Sequence, residues 1–348
     1  MTYTLAREQL GDWLQQVAAG KRLIAPVTDD QGRVAFAEVD DPQTFTVPPG
    51  PVAESPKRWL YPPSEELFRY TELGGTPRLY EGEPSPIPQV IFGLRPCDAV
   101  AFAQTDTFWA ADLGDPYYQK RREATLLIAL NCDTVVPECF CEGISRAMSE
   151  PRGMDVLVTP LSEKLYLLES FSPAGEEALA ATAGLLTASQ GEEIAARQTL
   201  AEKIRQQQTR ALDTGRLTAA MQAVFNDADF WQAHTAGCIG CGVCTFMCPT
   251  CTCFDVMDDA IADTGFRYRC WDSCQFRQFC EEASGHDRRP QQWQRQRQRV
   301  CHKLWYSVER FNEITCTGCG RCVRLCPVNI DIARVAQAAL DQTKGEQE

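Results

Sequence analysis

Two stretches carry cysteines at matching intervals, CIGCGVCTFMCPTCTC at 238–253 and CTGCGRCVRLCPVNI at 316–330. Each follows C-x2-C-x2-C-x3-C-P: Cys238, Cys241, Cys244 and Cys248 before Pro249, then Cys316, Cys319, Cys322 and Cys326 before Pro327. This is the spacing of bacterial two-cluster ferredoxins, in which three near thiolates grip one cubane and the fourth grips the other. The expected ligand sets are therefore Cys238, Cys241, Cys244 and Cys326 for one [4Fe-4S] cluster, and Cys316, Cys319, Cys322 and Cys248 for a second. Gly242 and Gly320 suit tight backbone turns at positive φ around such clusters. Structural zinc also uses C-x2-C pairs, but four thiolates satisfy it, so a third regular cysteine and a C-P end in both runs would be surplus.

A further set lies nearer the start: Cys97 in LRPCDA, Cys132 in ALNCD, and Cys139 with Cys141 in ECFCE. Cys97 and Cys132 each follow an expected strand end, where α/β sheets present functional loops. Four loop cysteines suggest a third [4Fe-4S] cluster, against the reading that they are buried thiols behaving as small hydrophobes. The remainder are Cys251, Cys253, Cys270, Cys274, Cys280 and Cys301. Of these, Cys251, Cys253, Cys270 and Cys274 suit either another metal site, a redox thiol pair, or packing beside the clusters. His234, His286 and His302 stand isolated, as surface or satisfied histidines do.

The elements that must position these groups fall into an α+β arrangement. Residues 1–186 read as a mixed α/β domain. AREQLGDWLQQVAA has helical spacing, with Leu10, Trp13, Leu14 and Val17 on one side. A Pro-rich stretch follows, ending in an expected short helix over Ser64 to Tyr70. QVIFGL (89–94) and TLLIAL (125–130) read as buried strands joined by a crossover helix in DAVAFAQTDTFWAADL, a βαβ unit. DVLVTPL and LYLLESF add two strands. Residues 187–232 read as a helical connector, with a Leu217, Met221, Val224 and Phe225 stripe. Residues 233–340 form a ferredoxin-like domain with an insertion between its two runs, and 341–348 a frayed tail. In RRPQQWQRQRQRVCHK (288–303) a helix would put Arg295 and Arg299 on one side, Arg297 on the other, and Trp293, Val300 and Leu304 toward the core. The expected role of its arginines is a solvated face.

Composition narrows the function classes. The net charge of −13 argues against nucleic acid. No apolar run reaches the length of a membrane span, and the start lacks a secretory pattern, so the expected location is cytoplasmic. In that reducing setting, 18 cysteines point to metal or redox chemistry before disulfides. No G-x-G-x-x-G follows a strand, so no Rossmann nucleotide site is evident.

Taken together, FGLRPCDAVAF, DPYYQKRRE, CFC, CGVCTFMCPTCTCFDV, RCWDSCQF, SGHDRRP and CTGCGRCVRLCPVNI occur in an order that resembles one family. It comprises the iron–sulfur β subunits of cytoplasmic NAD(P)-linked [NiFe] sulfhydrogenases and the corresponding iron–sulfur subunits of anaerobic sulfite reductases. The resemblance runs roughly from Trp59 to Ile332. It implies an electron-transfer subunit without a catalytic centre of its own. Its implied partners are an FAD/NAD(P)H-binding flavoprotein and the catalytic hydrogenase (or sulfite reductase) subunits. It implies the eight ligands of the paired clusters and adds weight to the third set. Cys270 departs from the pattern, standing where a basic residue is expected before Trp-Asp-Ser-Cys. Of the two branches, the motif combination favours the hydrogenase. Rival readings from other classes are an iron–sulfur redox sensor and a zinc-held scaffold.

Overall fold

The computed structural model describes residues 1–73, 76–81 and 86–344. Its strands are β1 (Thr2–Ala6), β2 (Arg22–Thr28), β3 (Val34–Glu38), β4 (Ser64–Leu73), β5 (Thr76–Glu81), β6 (Gln89–Leu94), β7 (Thr125–Leu130), β8 (Val156–Pro160), β9 (Leu165–Ser170), β10 (Thr187–Ala188), β11 (Phe254–Ile261) and β12 (Thr264–Trp271). Eight of these form one sheet in the order β10-β1-β9-β8-β7-β6-β2-β3. Its centre, β2-β6-β7-β8, is parallel, while the flanking pairs are antiparallel. Every residue of β6 and β7 is buried, as expected where a parallel sheet is covered on both faces. Alternate side chains feed two cores: Val90, Phe92 and Ile128 meet Trp13 and Leu14 of the helix Leu10–Val17. Ile91, Leu94 and Leu127 meet Phe102 and Trp109 of the helix Pro96–Ala110. That helix, followed by a second at Pro116–Glu123, links β6 to its parallel neighbour β7, so the βαβ expectation holds.

A second sheet, β11-β12-β4-β5, is antiparallel throughout. It overturns the expected helix at Ser64–Tyr70, which is the first part of β4. The physical reason is non-local: β4 is sandwiched between β12 and β5, and its Glu65 is buried against Arg269 of β12 and Arg121. The β11–β12 hairpin is the first part of the insertion between the two cysteine runs. It therefore returns to pair with the N-terminal half.

The stretch expected as one helical connector is divided. β10 pairs with β1, and the helix Glu192–Gln207 contacts β9. The helices Thr214–Ala223 and Ala228–Thr235 join the C-terminal core. There Leu217, Met221 and Val224 pack with Trp231, Val300, Leu304, Ala336 and Leu340. A continuous rod crosses this core: the helix Gln292–Cys301, a π-type turn His302–Tyr306 and the helix Ser307–Phe311. The helix Ile332–Gln342 runs into the expected tail, of which 345–348 lie outside the described residues. Among the described residues no helix is long and apolar enough to cross a membrane.

Candidate metal centres

The first run winds tightly. Gly240 and Gly242 sit at φ of 69° and 74°, and a one-turn helix, Val243–Phe246, carries Cys244. Cys238, Cys241, Cys244 and Cys326 line one cavity. Two thiols of the second run reach this cavity, Cys322 and Cys326, the latter being the one expected to cross over. Its surroundings offer hydrogen bonds to sulfur: Gln292 and Gln296 donate to Cys238 Sγ at 3.3 and 3.0 Å, and the Ile330 N–H donates to Cys326 Sγ at 3.2 Å. Donors to thiolate sulfur stabilise added negative charge and so raise a cluster's potential.

The second run mirrors the first, with Gly318 and Gly320 at φ of 67° and 75° and a short helix, Arg321–Arg324. Cys248, Cys316 and Cys319 all bear electrostatically on the Cys322 thiol. Thr250, two residues beyond Cys248, donates to the carbonyl of Thr315 at 2.7 Å, which brings the end of the first run to the start of the second. Burial pushes Cys316 up to about 11 and Cys322 up to about 12. Thiols so placed ionise only when a bound cation repays the loss of water, which is what iron does for a thiolate ligand.

The N-terminal four also come together. Cys97 opens the helix after β6, Cys132 follows the neighbouring parallel strand β7, and Cys139 and Cys141 lie in the loop beyond. All four line a cavity closed by apolar side chains including Pro51, Val136 and Met148. Burial pushes Cys139 up to about 12 and Cys97 and Cys141 well above the usual thiol range; Gln208 Nε2, 3.3 Å from Cys141 Sγ, opposes the shift at Cys141. Four soft donors around one dry cavity fit an iron–sulfur cubane. Among the described residues no three His, Cys, Asp or Glu side chains close on a single ion.

The second and N-terminal centres share a wall. The Phe140 N–H donates to the Gly318 carbonyl at 2.8 Å, and Ser145 Oγ to the Thr317 carbonyl at 3.0 Å. A Cβ on Gly318 would stand 2.7 Å from the Cys141 backbone, and one on Gly320 2.7 Å from that of Glu138. Cys319 packs against Cys97 and Cys141. Beneath them Arg321, wholly buried, makes two bonds to Asp98, at 2.6 and 3.0 Å, and donates to the Val52 carbonyl at 2.7 Å. Asp98 directly follows Cys97, and Arg321 lies between Cys319 and Cys322, so one ion pair clamps two cysteine loops.

Residues 237–330 match the family model of the 4Fe-4S dicluster domain. Sulfhydrogenase 2 subunit beta of Pyrococcus furiosus is 27% identical over 289 residues, which cover 80% of this chain and 81% of the relative. No solved structure matches. The two matches support the iron–sulfur β-subunit family. For this chain they support an electron-transfer role with two [4Fe-4S] clusters in its C-terminal part.

Several residues around these centres were not singled out in the sequence. Asp98 and Arg321 each sit inside a cysteine motif, yet nothing in the order of residues pairs positions 223 apart. The arginines of 288–303 depart from the expected solvated face: Arg295 and Arg299 are buried, and Arg299 borders the Cys238–Cys326 cavity. Their helix is amphipathic, but the cysteine sites occupy the side expected to meet water. Val300 and Leu304 face the core as expected, with Trp293 partly buried against it. The leftover cysteines separate. Cys270 lies on β12 near Met257, Cys280 near Asp287, and Cys301 inside the helical core. Cys251, Cys253 and Cys274 share a cavity of their own.

Proposed function

We propose that this chain carries single electrons between an FAD/NAD(P)H-linked flavoprotein and the catalytic subunits of a [NiFe] hydrogenase. The relative's name, a sulfhydrogenase β subunit, favours this partner set over a sulfite reductase. Three [4Fe-4S] clusters serve the path: one on Cys238, Cys241, Cys244 and Cys326, one on Cys316, Cys319, Cys322 and Cys248, and one on Cys97, Cys132, Cys139 and Cys141. A cubane supplies a one-electron couple whose charge is spread over four irons. The rest is the protein's work: it buries thiols, aims N–H donors at sulfur and holds the loops at fixed separation.

The observation that carries the reading is the shared wall between Gly318–Cys322 and Glu138–Cys141. Backbone-to-backbone packing at Gly318 and Gly320 brings the two cysteine loops into direct contact, which suits electron transfer. The Cys238 centre forms the other end and approaches solvent, since Cys241 and its neighbour Ile239 are exposed. Electrons would therefore pass a partner at Cys241 and travel inward to the Cys97 centre, or the reverse.

The test is oxygen-free purification of a tagged chain from its native cells, followed by NADH or NADPH addition. The expected result is co-purification of a flavoprotein and nickel–iron subunits, with the clusters bleached by one of the nucleotides. Recovery with a sirohaem protein, or alone with clusters that neither nucleotide reduces, would overturn it.

A further inference from the structure

Cys251, Cys253 and Cys274 fall outside the twelve cysteines assigned above, yet they line one cavity between the helix Pro96–Ala110 and the rod Gln292–Phe311. The first two belong to the CPTCTC segment and the third to WDSC at the end of β12. Backbone bonding holds the segments together, with the Asp272 N–H donating to the Cys253 carbonyl at 3.0 Å. A hydroxyl pair, Thr245 with Ser273 at 2.8 Å, sits between them. Cys270 lies outside this cavity.

Three buried cations surround the thiols. Lys303 Nζ donates to Thr250 Oγ1 at 2.7 Å, and Lys57 Nζ to the carbonyls of Cys251 and Thr245 at 2.9 and 3.3 Å. Arg299, 3% exposed, lines the cavity; it has one long contact to Gln296 at 3.5 Å, and its Nε has no partner. None of the three has a carboxylate partner among the described residues, although most other buried cations here do: Arg269 pairs with Glu65 and Asp115, Arg321 with Asp98. Buried charge is tolerated when matched by opposite charge. Three thiols, with Lys303 and Arg299 lining the same cavity and Lys57 bonded to the Cys251 backbone beside it, all without carboxylate partners among the described residues, complement an anionic thiolate-held cluster. Arg299 also borders the Cys238–Cys326 cavity.

We propose that Cys251, Cys253 and Cys274 hold a fourth iron–sulfur centre. This inference rests on the iron–sulfur reading above and extends it. Three thiolates leave one iron of a cubane for a different donor, and His302, which opens the π-type turn, is the imidazole lining the cavity. Such turns frequently mark functional positions in helices. Because Thr250 joins this segment to Thr315 beside Cys316, the fourth centre adjoins the Cys316 cluster. It branches the path instead of lengthening it at Cys241.

The test is iron and spectroscopic analysis of the full chain, reconstituted without oxygen, beside the variants Cys274→Ala and Cys251→Ala/Cys253→Ala. The parent should hold about sixteen irons and each variant about twelve, with the signals of the other centres kept. Two variants on different segments guard against a folding defect in either. About twelve irons in parent and variants alike, or a Cys253–Cys274 disulfide found by thiol labelling and mass spectrometry, would overturn this inference and leave the carrier reading intact. A parent chain without cubane iron would overturn both.

Discussion

Asp98→Asn lowers the stability of the chain by about 3–5 kcal/mol, the cost of stranding one partner of a buried ion pair. The substitution keeps shape and volume but leaves the Arg321 guanidinium, 0% exposed, facing a neutral amide. The amide oxygen and the Val52 carbonyl still accept hydrogen bonds but cannot balance the charge. The damage should also be local. Asp98 holds the loop bearing Cys97 against the one bearing Cys319 and Cys322, so the N-terminal and Cys316 centres should change spectroscopically while the Cys238 centre does not. Pairing it with Arg321→Met should recover part of the loss, because the double variant no longer buries an uncompensated charge. By contrast Arg310→Met, which removes an exposed pair with Asp112, should change little. Anaerobic thermal melts with spectra before and after each melt, on the parent, the three single variants Asp98→Asn, Arg321→Met and Arg310→Met, and the double variant, measure these effects. An Asp98→Asn chain as stable as the parent, or a double variant worse than both singles, would contradict the clamp.

Cys326→Ala removes the cluster of the opposite run. The thiol belongs in sequence to the second run but lines the cavity of Cys238, Cys241 and Cys244. Its loss should cost about four irons and abolish the same spectral signal as Cys241→Ala. Cys248→Ala should share its missing signal with Cys319→Ala instead. The crossing is the arrangement expected of paired ferredoxin-type runs, in which the fourth cysteine serves the other cluster. Within any chain of independent clusters, Cys326 and Cys319 would act together. Electron paramagnetic resonance of the four reduced variants distinguishes the two patterns.

Much of the site was readable from spacing. C-x2-C-x2-C is a local constraint, because three ligands must wrap one small object, so Cys238, Cys241 and Cys244 are brought to one cavity as expected. Cys97 and Cys132 were legible for a topological reason: both follow apolar runs that become adjacent parallel strands, and adjacent strands place their ends together. What the sequence hid is non-local. Ser64–Tyr70 looks helical by itself and becomes β4 because β12, some two hundred residues later, pairs with it. The buried Lys57, Arg299 and Lys303 look like ordinary surface residues in composition. Their burial makes sense only beside the thiols, whose charge no residue pattern displays. The Asp98–Arg321 clamp was hidden in the same way, each half standing inside a motif whose cysteines already accounted for it.

Mössbauer spectroscopy with metal analysis of the oxygen-free chain tests the central claim most directly. Iron bound as reducible cubanes, with dithionite generating paired and magnetically interacting cluster signals, is the predicted result. Stoichiometric zinc with no cubane iron would contradict it.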